Sequence, residues 1–165
     1  LLPAGWSRDG RTILVAADLG DGWQLHRVDP VDGSRQALTR AGGLTGAETA
    51  DGRDLYHTRP GLAGLWRLSL AGGEPELVIP ALLAGDRAAW RLTGDAITWV
   101  LRVRGRAVLM RHDLVSGVSQ PLAELPGFAA GALGVSGTGE VVLYSHAGEA
   151  AGDLMLLSAF AAPEK

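Results

Sequence analysis

The chain has 165 residues, enough for one ordinary domain with a sizeable core. Hydrophobic residues make up 47% and charged residues 20%, and the 24 glycines are spread along the chain, which excludes a disordered or collagen-like polypeptide. Net charge is −3, the single lysine is Lys165 and there is no cysteine, which excludes a general basic field for nucleic acid or anionic membrane, disulfide staples and thiolate chemistry.

In chain order, the start Leu1-Leu2-Pro3 carries neither an initiator methionine nor a basic segment ahead of an apolar one, so we expect a cut inside a longer polypeptide. The turn Trp6-Ser7-Arg8-Asp9-Gly10-Arg11 precedes β-rich runs at 12–17 and 24–29, a turn at Asp32-Gly33 and a short run at 36–39. The order repeats: Thr49-Ala50-Asp51-Gly52-Arg53, then 55–58 and 65–70, Gly72-Gly73, and 75–79. It repeats again with Trp90-Arg91-Leu92-Thr93-Gly94-Asp95, 96–103, 108–114, Ser116-Gly117 and 120–125. A fourth turn, Val135-Ser136-Gly137-Thr138-Gly139-Glu140, leads into 141–145 and 154–158, with no fourth run after it. Gly10, Gly52, Gly94 and Gly137 are 42, 42 and 43 residues apart, the period of a propeller blade of four strands.

The third runs align as Leu25-His26-Arg27, Leu65-Trp66-Arg67, Leu109-Met110-Arg111 and Leu154-Met155-Leu156, with large side chains on both faces. That suits a sheet held between two neighbours. The stretch 81–90 is too short and glycine-broken for a long helix, and no apolar stretch approaches a membrane span. We therefore expect an all-β chain: one propeller segment of about four antiparallel blades (1–41, 42–83, 84–126 and 127–160), the last lacking its outer strand, forming the C-terminal part of a larger ring.

The Trp-Ser-Arg-Asp-Gly-Arg turn with its apolar strand, Leu-x-Arg strand, glycine turn and closing Leu38-Thr39 resembles the TolB-type β-propeller repeat over nearly the whole chain. The ending Gly152-Asp153-Leu154-Met155-Leu156-Leu157-Ser158 resembles the carboxyl end of propellers attached to bacterial winged-helix transcriptional regulators. Turns three and four depart from the Asp-Gly pattern, and a six-bladed family ring would need about two more repeats. The resemblance implies a non-enzymatic interaction or sensing module of a bacterial signalling protein, with remaining blades upstream and an extracytoplasmic, periplasmic location. The same repeats occur in propellers beside prolyl-oligopeptidase-like hydrolases and in TolB-like periplasmic adaptors.

Candidate chemistry is sparse. Gly134-Val135-Ser136-Gly137-Thr138 comes nearest to a nucleophile elbow and fails at its last position, so Ser136 reads as a repeat turn. His26, His57, His112 and His146 sit at repeat-set strand positions without metal-ligand spacing, and the Asp18-to-Gly22 and Asp29-to-Gly33 stretches lack the order of a calcium loop. No cofactor, metal or catalytic residue is expected; a protein or peptide partner is, with no direct nucleic-acid binding. The central opening, lined by 44–48, 86–89 and 129–133, is the expected contact surface, with Glu48, Thr45, Arg87 and Arg91 facing it. Glu48 stands where Trp6 and Trp90 precede their glycines, and its carboxylate is expected either to face a ligand or to pair with Arg87 or Arg91. Arg102, Arg104 and Arg106 could gather at one hairpin tip to hold an anion, or simply form a solvated turn.

Overall fold

The computed structural model describes residues 1–147 and 152–158; the expected blade boundary at 160 and the ending from Ala161 to Lys165 lie outside them. The described chain is all-β apart from one 3-10 turn, Ala84–Asp86. The first sheet holds β1 (Leu2–Trp6), β2 (Ile13–Asp18), β3 (Trp23–Val28) and β4 (Arg35–Ala37). The second holds β5 (Gly46–Glu48), β6 (Asp54–His57), β7 (Leu65–Ser69) and β8 (Glu76–Ile79), and the third β9 (Trp90–Thr93), β10 (Ala96–Val103), β11 (Arg106–Asp113) and β12 (Ser119–Glu124). Among the described residues the fourth has three strands, β13 (Phe128–Val135), β14 (Val141–Ala147) and β15 (Gly152–Ser158). Each is an antiparallel meander in sequence order, the topology of a propeller blade, and among the described residues the fourth shows the expected shorter strand set. The chain divides into two compact units, Leu1–Ala84 and Gly85–Lys165, each containing two sheets.

The repeat turn has a physical basis. The Ser7 hydroxyl donates to Asp9 Oδ1 (2.7 Å) and accepts from the Thr12 amide (3.0 Å), while the Arg11 amide also donates to Asp9 Oδ1 (3.1 Å). Gly10, at φ +69°, makes the left-handed step that lets the chain reverse. Thr49, Asp51 and Gly52 reproduce this arrangement in the second sheet. The hydroxyl bonds, Ser7 on Asp9 and Thr49 on Asp51, hold both carboxyls below their ordinary range. In the fourth sheet Ser136 accepts from the Val141 amide (3.1 Å), and the left-handed glycine is Gly139. Gly139, rather than Gly137, is therefore the counterpart of Gly10. The third turn is tighter, with Thr93 paired to Ala96 across Gly94-Asp95.

Backbone register corrects a second expectation. The third-strand positions Arg27, Arg67, Arg111 and Leu156 pair with Leu14, Tyr56, Thr98 and Leu143. The preceding second-strand residues, Ile13, Leu55, Ile97 and Val142, pair with Trp6, Glu48, Leu92 and Val135. Glu48 is thus equivalent to Trp6, but Trp90 is not, because Trp90 lies opposite Trp99 farther into its sheet. Burial agrees: Trp90 is 3% exposed and Trp6 61%.

Cores form between consecutive sheets within each unit. Leu14, Ala16 and Leu25 of the first sheet close on Leu55 of the second. Val100, Ala107 and Leu109 of the third close on Phe128, Leu133, Val142 and Tyr144 of the fourth. Leu25 comes so near the next inner strand that a Cβ on Gly46 would lie 2.8 Å from its Cδ1, so only glycine fits there without repacking. The closing Leu38-Thr39 pair has a role as well. Buried Thr39 accepts the Leu25 amide (2.9 Å) and donates to Gln24 Oε1 (2.9 Å), which also accepts the Gly42 amide (3.0 Å), steering the chain from one sheet to the next.

Candidate functional site

Glu48 ends β5 on the face turned back toward the first sheet, since its partner Leu55 packs there. Its carboxylate, with the side chain 5% exposed, pairs with Arg27 of β3 and accepts the Arg8 amide (3.3 Å). The Arg8 guanidinium caps the Ala50 carbonyl of the same turn. The ion pair expected with Arg87 or Arg91 is therefore made instead with Arg27 of the preceding blade. Thr45 is tied by its hydroxyl to Thr58 Oγ1 (2.8 Å), and its amide donates to the same oxygen (3.3 Å).

Beside this pair runs an open groove of about 600 Å³ lined by Arg27, Arg40, Gly52, Gly72, Gly73 and Glu74, among others. One wall is β4, which among the described residues pairs with β3 alone. The second unit has a repeat-equivalent groove of about 380 Å³, where the Gly137-to-Gly139 turn lies over Arg111. There Arg111 is held on its own sheet by Asp113 (3.5 Å) and Asp95 (3.9 Å).

The arginine hairpin is assembled but committed. Arg104 (φ +49°) and Gly105 (φ +78°) form the tip with the two positive φ values of a type I′ turn. Arg102 grips buried Asp86 through two bonds (Nε to Oδ2 2.7 Å, Nη2 to Oδ1 3.1 Å) and lies over the Phe128 ring at 4.8 Å. Hydrogen bonding to Asp86 raises the Arg102 guanidinium above its ordinary pKa. Arg106 binds Glu124 (2.7 Å), so the three guanidiniums do not converge. Arg87 gives its carbonyl to the Trp90 indole (3.0 Å), and Arg91 donates to the Ala88 (3.2 Å) and Trp90 (2.7 Å) carbonyls. The third inner strand begins at Trp90, so 86–89 precedes it rather than forming it.

Two groups escaped the sequence reading. His112 Nδ1 meets Ser119 Oγ at 2.9 Å, a cross-strand pair set by β11–β12 register and invisible without it. His57 is fully buried and neither ring nitrogen has a hydrogen-bond partner of good geometry. Burial lowers its pKa from 6.5 to about 4; the Arg59 charge acts in the same direction and the Thr58 backbone only partly opposes it. Unfolding restores the ordinary value, so the unfolded chain binds the extra proton between these pH values and stability falls as pH drops from 6.5 toward 4. We expect a loss of about 3 kcal/mol across that window. Urea titrations at stepped pH should show it, and His57→Leu should flatten it; an unchanged slope in the variant would assign the loss elsewhere.

Ser136 is engaged in its turn, with Thr138 at 3.2 Å. Among the described residues no three histidine, aspartate or glutamate side chains gather as a metal cage, and no helix is long and apolar enough to cross a membrane.

No protein-family model and no curated protein matches the sequence, whereas solved structures do. TolB from Acinetobacter baumannii aligns over 94% of this chain and 40% of its own, with a TM-score of 0.71 at 21% identity. The fold is that of a TolB-like β-propeller. A gluconolactonase, XC5397 from Xanthomonas campestris, aligns over 95% of this chain and 57% of its own (TM-score 0.66, 18% identity). An oligogalacturonate lyase in complex with manganese aligns over 93% and 49% (TM-score 0.58, 19% identity). The chain thus spans 40% to 57% of the length of these structures, and what it shares with them is the fold.

Proposed function

We propose that this TolB-like chain is a non-enzymatic interaction or sensing module, working within a larger propeller of a bacterial signalling or transcriptional regulator. The observation that carries this reading is how its reactive side chains are used. Glu48, Asp86 and Glu124 are held by Arg27, Arg102 and Arg106, and Ser7, Thr49 and Ser136 build turns. The open feature is the groove beside Arg27, where the outer strand β4, the exposed Arg40 and Glu74 and the Gly72-Gly73 backbone offer hydrogen bonds and charge to an extended peptide. Glu48 contributes by fixing Arg27 on the groove wall. The winged-helix partner and the extracytoplasmic location rest on the sequence resemblance alone.

Two measurements test this. Fluorescence polarisation against a peptide library should yield binders that Arg40→Glu weakens at least about tenfold, a cost of about 1.4 kcal/mol, without changing thermal unfolding. Assays with ester, lactone and peptide substrates should give no turnover above background. Turnover abolished by Ser119→Ala, which breaks the His112 pair, or by Ser136→Ala would overturn the non-enzymatic reading.

A further inference from the structure

The outer edge of the first blade differs from those of the next two. The Leu38 amide donates to the Leu25 carbonyl (2.8 Å) and the Asp29 amide to the Ser34 carbonyl (2.9 Å), so the pairs that exchange bonds between β3 and β4 are Leu25–Leu38, Arg27–Gln36 and Asp29–Ser34. Arg35 and Ala37 alternate with them and turn their N–H and C=O groups away from β3. In the second blade the repeat position of Arg35 belongs to Pro75, one residue before Glu76, which pairs with Arg67 as Gln36 pairs with Arg27. In the third blade the repeat position of Ala37 belongs to Pro121, which pairs with Met110 as Ala37 pairs with His26. Proline has no N–H, so each of those two edges lacks a donor that β4 keeps, a common guard against a further strand. Blades pack face to face, so a neighbouring blade of this chain or of a longer one covers a face of the first sheet and leaves this edge open.

The charges beside this edge favour an acid. Arg35 opens the strand and Arg40 follows it; both are exposed, and among the described residues neither guanidinium has a carboxylate partner. Arg27, the other cation of the groove, is already neutralised by Glu48, and the one carboxylate lining the groove is the exposed Glu74 on the facing wall. In the second unit's groove, by contrast, Arg111 is occupied by carboxylates of its own sheet. Pairing β4 with the β4 of a second copy would gather four unpaired guanidiniums on one short ribbon, like charge against like. We propose that β4 takes a fifth strand, an extended acidic segment of a partner protein, held by backbone hydrogen bonds at Arg35 and Ala37 and by carboxylates set against Arg35 and Arg40. This rests on the peptide-binding reading of the groove and adds to it the mode of attachment and the charge of the ligand.

Fluorescence polarisation of the full chain with labelled six-residue peptides tests this, one alternating valine with glutamate and one alternating valine with lysine. The glutamate peptide should bind at least about tenfold more tightly than the lysine peptide, and Arg35→Glu should shrink that preference. A strand bonds its neighbour through every second residue, so N-methylating the valine amides and N-methylating the glutamate amides should differ, one set abolishing binding and the other leaving it. Ala37→Pro deletes the outward N–H as Pro121 does in the third blade, and should weaken binding at least about tenfold with thermal unfolding unchanged. If that variant fails to fold, the two N-methylated peptides decide on the unaltered chain. Equal binding of the two charges, equal effects of the two N-methylated sets, or a folded Ala37→Pro chain that binds as before would overturn strand addition. In that event library peptides that Arg40→Glu weakens would leave the groove reading standing, whereas the absence of any binder in either series would remove both.

Discussion

Arg27→Met should lower the free energy of unfolding by about 3–5 kcal/mol, because it leaves the Glu48 carboxylate between two blades without its cation. Glu48 is 5% exposed, and its other bond on the described chain is the 3.3 Å one from the Arg8 amide, so water cannot take over the lost interaction as it would for a surface pair. Glu48→Gln should cost less, since the amide can keep one bond to Arg27 while that guanidinium, 32% exposed, turns partly to solvent. Urea denaturation of the three proteins checks the order; equal stabilities would mean that the pair is an ornament of the surface. Surface pairs such as Arg53–Asp51, exposed on both sides, should by contrast contribute little, because water and salt screen them.

The second large effect lies at the repeated leucine. Leu25→Ala removes a fully buried side chain that lies close against Gly43 and Gly46 of the next blade, and should cost about 2–5 kcal/mol. Leu154→Ala, the same change at the same repeat position, should alter the stability of the single chain by no more than about 0.5 kcal/mol, because its side chain is already in water. Thermal unfolding of both variants checks the contrast. Similar losses at the two sites would mean that Leu154 is covered within its own chain.

Most of the fold was legible because its signals are local. Glycines at fixed spacing, apolar runs between them and the Leu-x-Arg third strand give sheet count and strand order among the described residues. What sequence spacing does not carry is hydrogen-bond register. Gly94 and Gly137 fall at the right interval, yet the third turn is a tight one and the left-handed residue of the fourth is Gly139. Spacing alone therefore equates Trp90 with Trp6, although Trp90 lies opposite Trp99, inside its sheet. The site was less legible for the same reason. Sequence spacing offers Glu48 a cation on the following blade, Arg87 or Arg91, and only the alternation of β5 against Leu55 shows that it faces back to Arg27. The buried His57 and the His112–Ser119 pair depend on which strand face each residue takes, which the lone sequence leaves open.

The account stands on one physical claim, that the first and second blades are joined through Glu48 at the strand end of one and Arg27 on the third strand of the other. A double-mutant cycle on Arg27→Met and Glu48→Leu measures it most directly, since their side chains lie 21 residues apart in sequence and meet only across the blade junction. The predicted result is a coupling energy above about 1.5 kcal/mol, the doubly substituted protein being far more stable than the two single losses added together, because an apolar pair replaces a stranded charge. Additive single effects, with coupling within about 0.5 kcal/mol of zero, would contradict it.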